Sequence, residues 1–280
     1  MMVNFSEVLK EARRCRYAVG SFNVYNYETI RGVVEAGDEL GYSTIVAFGE
    51  GYLPNMDVDE VYALVHAMAH KVKIPLVLHL DHCKSFETIV RAIRAGFTSV
   101  MFDGSSLTYE ENKKKTAEVV AIAHAAGVSV EAELGAIGAG EFSNEGGEGE
   151  KEIYTNPDQA ADFVAKTGID ALAVSIGTVH GMYKGTPRID VGVLKKIAAE
   201  VEIPLVLHGG SGTPEEIVRE CIRNGIAKIN VNTEISYYTV EQVKALLQSG
   251  KNYHLSQVAL KEVGYVKEVV TKYATMFRSA

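Results

Sequence analysis

Two hydrophobic periods alternate along the chain. Short apolar, β-rich runs occur at Ala18–Val24, Thr44–Phe48, Leu76–Leu80, Val100–Phe102, Val128–Leu134, Ala171–Ile176, Leu205–Leu207 and Lys228–Val231. Between them lie stretches whose apolar residues recur every three or four positions: Glu28–Leu40, Val58–Lys71, Glu87–Ala95, Glu110–Ala126, Pro157–Thr167, Val191–Val201 and Glu215–Asn224. Strands alternating with helices of this length predict right-handed βαβ units in a parallel sheet. Eight such strands predict closure into a (β/α)8 TIM barrel. An open doubly wound sheet would favour a glycine fingerprint after the first strand, and Ser21-Phe22-Asn23-Val24 carries none.

Residues 1–280 read as a single α/β barrel domain with a C-terminal helical extension from about 236 to 280. The extension reads as two helices separated by Ser249-Gly250-Lys251-Asn252, which cap the barrel or serve a subunit contact. Residues 135–156 are rich in Gly and Glu and have no apolar period; structureless stretches beyond ~12–15 residues in compact domains are usually functional or disordered. One segment recurs: Ile74-Pro75-Leu76-Val77-Leu78-His79 returns as Ile203-Pro204-Leu205-Val206-Leu207-His208. It reads either as convergence on a good buried strand or as barrel symmetry, with both strands ending in polar residues at one rim.

Composition narrows the function classes. The chain is 47% hydrophobic and 23% charged, ordinary for a globular protein with a sizeable core. Its net charge is -8, and its only dense basic run, Lys113-Lys114-Lys115, reads as a solvated helix face, so nucleic acid is not an expected partner. Cys15, Cys83 and Cys221 stand far apart and odd in number, against a disulfide framework or a Cys-based zinc site. No apolar run approaches the ~18–20 residues of a membrane span, and the N-terminus lacks a signal-peptide core. The chain reads as cytoplasmic.

In a barrel of this kind the active site lies at the C-terminal ends of the strands. Polar residues there are Asn23, Glu50, Asp81-His82, Asp103, Glu131 with Glu133, His180, His208, and Asn230, Asn232 and Thr233. Three of the eight histidines thus end three different strands. Three convergent imidazoles make a catalytic zinc set with a position left for substrate, where zinc acts as a Lewis acid on a carbonyl. His66 and His70 have metal-binding spacing but lack the glutamate of H-E-x-x-H, and read as ordinary helix residues. His79 shares a strand face with Asp81 and reads as a hydrogen-bonded interior residue. Gly181-Met182-Tyr183-Lys184-Gly185 and His208-Gly209-Gly210-Ser211-Gly212-Thr213-Pro214 follow late strands, where barrels often hold phosphate.

Together these residues resemble the class II, zinc-dependent ketose-phosphate aldolase family, which includes the fructose- and tagatose-bisphosphate aldolases. The resemblance runs from about residue 5 to 235. It is carried by Phe22-Asn23-Val24, His79-Leu80-Asp81-His82, Val130-Glu131-Ala132-Glu133-Leu134-Gly135, Gly177-Thr178-Val179-His180-Gly181, His208-Gly209-Gly210-Ser211-Gly212 and Lys228-Ile229-Asn230-Val231-Asn232-Thr233-Glu234. It implies reversible cleavage of a ketose phosphate or bisphosphate to dihydroxyacetone phosphate and an aldehyde, through a zinc-stabilised enediolate. It implies that His82, His180 and His208 bind Zn2+, that Glu133 lies close to the metal, and that Asp81 is the acid/base at the C4 hydroxyl. Gly181, Lys184, Gly209, Ser211 and Thr233 match a phosphate site, Asn230 a residue bonding that half of the substrate, and Asn23 and Asn232 further pocket positions. Glu141 matches a second proton-transfer residue. A monovalent cation (Na+ or K+) held by carbonyls near Val179, Gly181, Gly209 and Ser211 is also implied, as is a homodimer or homotetramer.

No Schiff-base lysine is expected, since Lys228 opens strand eight away from the rim and Lys84 has no desolvating pocket. Asp81-His82-Cys83 replaces the family's Asp-His-Gly, and Glu141-Phe142-Ser143 lacks its paired acids. Gly49 and Asn252-Tyr253-His254-Leu255 replace residues that hold a second phosphate in bisphosphate aldolases. The expected aldehyde is therefore glyceraldehyde 3-phosphate or another small acidic aldehyde. The alternatives are a non-catalytic phosphate- or metal-binding partner subunit of an aldolase, which has no need of Asp81 and all three histidines, and a zinc hydrolase, which has no need of a phosphate grip.

Overall fold

A computed structural model describes residues 1–143, 153–183, 185 and 187–278. The strands are β1 (Val19–Asn23), β2 (Thr44–Gly49), β3 (Leu76–Cys83), β4 (Ser99–Phe102), β5 (Ser129–Leu134), β6 (Gly138–Ala139), β7 (Ala171–Val174), β8 (Val179–His180), β9 (Leu205–Leu207) and β10 (Ile226–Val231). The helices are α1 (Phe5–Cys15), α2 (Tyr27–Leu40), α3 (Val58–Ala69), α4 (Phe86–Ala95), α5 (Tyr109–Ala125), α6 (Pro157–Thr167), α7 (Val191–Glu200), α8 (Glu215–Arg223), α9 (Thr233–Gln248) and α10 (Leu255–Arg278). The long strands close a parallel barrel in the order β1-β10-β9-β7-β5-β4-β3-β2, and β6 pairs with β8 outside it. The expected TIM barrel is the observed fold.

Local chemistry sets the element boundaries. Reciprocal capping boxes start α2 (Asn26 with Thr29), α3 (Asp57 with Glu60) and α5 (Thr108 with Glu111). Glycines in the left-handed region end α2, α4 and α6. The strands are buried along nearly their whole length, as expected where helices cover a parallel barrel.

The N-terminal end of the barrel is closed by α1. Asn4 caps this helix, and Phe5, Val8, Leu9 and Ala12 form its buried stripe. That stripe packs with Val19, Ile45, Val77, Ala171, Ala173, Val206 and Ala227 at the bottom of the barrel interior. Fully burying Phe5 or Leu9 contributes about 1.5–3 kcal/mol each. At the other terminus, α10 packs against α2, β1, α8 and α9. It thereby fills the ring position between α8 and α2, while α9 leads the chain away from the C-terminal end of β10. No helix among the described residues is long and apolar enough to cross a membrane.

Candidate active site

Asp81 and His82 are consecutive, so a regular strand would send them to opposite faces. The β3–β4 pairing shifts register between Leu80 and Cys83, and His82 adopts φ 44°. The bulge re-aims the chain so that both side chains serve the same end of the barrel. Cys83 does not carry the positive φ, so cysteine fits there: its buried thiol lies against Glu50 Oε1 at 3.4 Å and Ser85 O at 3.3 Å. Burial, with Glu50 beside it, pushes that thiol well above its ordinary range, so it is no nucleophile.

The three predicted histidines converge. The His82 ring stands 4.7 Å from that of His180 and 4.5 Å from that of His208, and His180 and His208 are 5.7 Å apart, all in steep T-shaped contacts. Ligand atoms of His82, Glu133, His180 and His208 all lie within 4.8 Å of one another. Carboxylates orient two of the rings from behind. Asp103 Oδ2 meets His82 Nδ1 at 3.2 Å, and Glu131 Oε1 meets His208 Nε2 at 2.9 Å. On the inner side, His208 Nδ1 and Glu133 Oε2 are buried, make no hydrogen bond, and face each other at 3.7 Å.

Asp81 is fully buried. Asn23 Nδ2 donates to its Oδ2 at 3.0 Å, and Asn230 Nδ2 donates to Oδ1 at 3.1 Å. Burial opposes its ionisation, but His82, Lys228 and His208 outweigh it and hold the carboxyl well below the usual range. Glu133 shows the opposite balance: burial, then Asp103, pushes it up to about 8. His208 is lowered to about 4 by burial and by His82, so its ring is neutral and fit to offer a lone pair.

The glycine-rich loops meet beside this cluster. Gly209 has φ 70°, and a Cβ there would lie 2.2 Å from Val179 O; at Gly181, φ 112°, a Cβ would lie 2.6 Å from Glu141 O. Only glycine lets these backbones approach so closely. Ser211 Oγ accepts from Glu234 N at 3.1 Å, in the first turn of α9, and Tyr273 OH accepts from Gly212 N at 3.2 Å. Asn232 gives α9 no side-chain cap. Its amide is instead clamped by tyrosines: Nδ2 donates to Tyr52 OH at 2.9 Å, and Tyr25 OH donates to Oδ1.

A model of the family Fructose-bisphosphate aldolase class-II matches residues 3–280. The chain belongs to this family. A fructose-bisphosphate aldolase of Geobacillus stearothermophilus is 43% identical over 256 residues, covering 90% of this chain and 88% of that protein. The crystal structure of the YdjI aldolase of Escherichia coli K12 superposes with TM-score 0.86 at 33% identity, covering 99% of this chain and 97% of that one. A candidate fructose-1,6-bisphosphate aldolase of Coccidioides immitis gives TM-score 0.89 at 30% identity, over 97% of this chain and 94% of that one. The chain is thus a carbon–carbon lyase, an aldolase releasing dihydroxyacetone phosphate.

Within this aldolase the predicted residues fall into three groups. Asp81, His82, Glu133, His180, His208, Asn23 and Asn230 come together, with both asparagine amides turned onto Asp81. Gly181, Gly209, Ser211, Asn232 and Thr233 line the neighbouring loops and the start of α9. Glu141 is exposed, its backbone bridged to Met182, and no contact among the described residues ties its carboxylate to the histidines. Lys184 lies outside the described residues. Sequence reasoning assigned no role to Asp103, Glu131, Lys228, Tyr25 and Tyr52. A charged residue inside an otherwise apolar strand was the available signal for Glu131 and Lys228.

Proposed function

We propose that His82, His180 and His208 hold a zinc ion, with Glu133 beside it, and that Asp81 is the acid/base of the aldol reaction. The observation carrying this reading is the pair of buried, unbonded atoms, His208 Nδ1 and Glu133 Oε2, inside a ring of three imidazoles. Buried polar atoms are rarely left without partners, and nitrogen donors with one carboxylate are a zinc-type set. The residues fit the ion that the family uses. When bound, zinc supplies Lewis-acid polarisation of the ketose carbonyl.

The chain's own groups do the rest. Asn23 and Asn230 aim the Asp81 carboxylate, which His82, Lys228 and His208 keep ionised against its burial, so it takes the hydroxyl proton in cleavage and returns it in synthesis. Gly181, Gly209, Ser211 and Thr233, with Lys184, grip the phosphate of the dihydroxyacetone half. Glycine N–H groups and the first turn of α9, to which Asn232 gives no side-chain cap, favour an anion there. Na+ or K+ beside the Val179 and Gly209 carbonyls would accompany it. Glu141 is assigned the second proton transfer. Lys228 is no Schiff-base candidate, because Glu131 engages its ammonium at 2.7 Å below the site.

The aldehyde half is glyceraldehyde 3-phosphate or another small acidic aldehyde. Gly49 offers no side-chain donor, a Cβ there would lie 3.2 Å from the Tyr52 ring, and the exposed His254 is engaged with Ser256 Oγ at 2.8 Å. Neither supplies the permanent charge of an arginine. The exposed apolar residues Tyr237, Val240, Leu247, Leu255 and Leu260 on α9 and α10 support a homodimer or homotetramer, which we place in the cytoplasm. A screen of acidic aldehydes with dihydroxyacetone phosphate tests the reading. It expects metal-dependent condensation with at least one of them, and a better partner than glyceraldehyde 3-phosphate if Gly49 decides specificity. No condensation with any aldehyde in the zinc-loaded protein would refute it.

A further inference from the structure

Beneath the histidine cluster lies a polar layer that takes no direct part in the proposed chemistry. His79 on β3, Glu131 on β5 and Lys228 on β10 are fully buried. Lys228 Nζ donates to Glu131 Oε2 at 2.7 Å and lies 3.5 Å from His79 Nε2. His79 Nδ1 is engaged in turn by Ser99 Oγ at 2.9 Å. The β9–β10 pairing shifts register between Ile226 and Lys228. Ala227 joins the apolar floor, and Lys228 still reaches the interior.

An ion pair this deep is a poor device for stability. Desolvation of both charges consumes much of their attraction, and apolar replacements often fold as well. Its geometry points elsewhere. Lysine only donates, and it occupies Oε2 of Glu131. The other oxygen, Oε1, is left to accept from His208 Nε2 at 2.9 Å. An acceptor at Nε2 obliges the neutral ring to carry its hydrogen there and leaves the lone pair on Nδ1. That is the nitrogen without a hydrogen-bond partner, 3.7 Å from Glu133 Oε2.

We infer that the buried Lys228–Glu131 pair positions the metal centre by fixing His208 in the tautomer and ring orientation that present Nδ1 to the ion. This rests on the metal reading of the cluster given above. Glu131 and Lys228 touch neither metal nor substrate, so they are positioning residues, acting through His208.

In zinc-loaded wild-type protein, 15N-histidine correlation spectra identify the His208 nitrogen that carries hydrogen. Nε2 is expected; hydrogen on Nδ1 overturns the inference without any variant. Glu131→Gln replaces an obligate acceptor with an amide able to turn its NH2 toward Nε2. Zinc affinity, measured by competition with a chromogenic chelator, should fall about 10- to 100-fold, as for other partners of metal-bound histidine. The visible spectrum of the cobalt-loaded variant should shift as well, which lost stability alone would not cause. The charge-neutral double variant Glu131→Gln/Lys228→Met guards against an unfolded single variant, and should bind zinc no more tightly than Glu131→Gln. Folded variants with wild-type zinc affinity and cobalt spectrum would reject the inference. Wild-type protein that takes up no zinc would instead overturn the metal reading itself, so the two failures are distinguishable.

Discussion

The two ends of this barrel are made from the same eight strands and carry opposite chemistry. At the N-terminal end, α1 drives Phe5 and Leu9 into a layer of Val, Ile and Ala. At the C-terminal end, the same strands finish in Asn23, Asp81, Glu133, His208 and Asn230, buried but polar. Between them, His79, Glu131 and Lys228 form a layer that is neither floor nor site. The difference teaches where tolerance lies. The floor is non-directional, and volume decides it. The polar end is directional, and each atom there needs a named partner.

Substitutions at the two ends should therefore separate activity from stability. The largest effect is expected for Asp81→Ala. Cleavage should fall about 10²–10⁴-fold, the usual worth of a placed acid/base, with zinc content unchanged. Exchange of the C3 proton of dihydroxyacetone phosphate should survive better than cleavage. Equal loss of both, at full metal occupancy, would mean that Asp81 does not act at the C4 hydroxyl. At the floor, Phe5→Ala should cost about 3–5 kcal/mol of stability in urea titrations. Its kcat at low temperature should stay within about twofold of wild type. A large kcat defect in folded Phe5→Ala would erase the contrast between the ends.

A smaller effect is expected at the phosphate loop. Gly209→Ala places a Cβ against the Val179 carbonyl at a positive φ. KM for the ketose phosphate should rise about tenfold, roughly one lost charge-assisted hydrogen bond, and more than kcat falls. An unchanged KM would remove Gly209 from the phosphate grip.

The smallest effect is on the pH dependence of the metal-free protein. An unfolded histidine takes a proton near pH ~6.5. Folded His79 and His208 resist until about 3 and about 4 respectively, both chiefly because of burial. Within that window the unfolded chain binds more protons, so stability falls as the pH drops below about 6.5. Glu133, pushed up to about 8 by burial, works the other way. The fold keeps a proton that the unfolded chain releases above ~4.5, so this contribution fades as the pH climbs to 8. Two histidines outweigh one glutamate on the acid side, and above pH ~6.5 the glutamate acts alone. Urea midpoints should peak near pH ~6.5 and decline modestly in both directions. A midpoint climbing steadily from pH 7 to 8 would contradict this balance.

Much of the fold was legible because both hydrophobic periods are strong. Each expected barrel strand lies within a few residues of an observed one. The α1 helix also carries a readable signal, Asn4 before Phe5, Val8, Leu9 and Ala12, but nothing local says which end of a barrel it closes. Of the site, the histidines and Asp81 were legible because they interrupt apolar strands at the expected rim. The Glu131–Lys228 pair was not, since its partners are 97 residues apart and meet only when the barrel closes. Nor was the bulge at His82: a left-handed φ at a non-glycine residue leaves no mark in sequence. The α9–α10 turn at 249–252 was readable from its glycine, whereas the place of α10 in the helical ring depends on packing against α2.

The central claim is that the polar end is a three-histidine metal centre. Its most direct test is a crystal structure of the zinc-loaded protein, with anomalous scattering recorded across the zinc edge. The account predicts one strong peak per chain, at about 2.0–2.1 Å from His82 Nε2, from a ring nitrogen of His180 and from His208 Nδ1. A peak bound elsewhere, or no peak in protein that retains full aldolase activity, would contradict it.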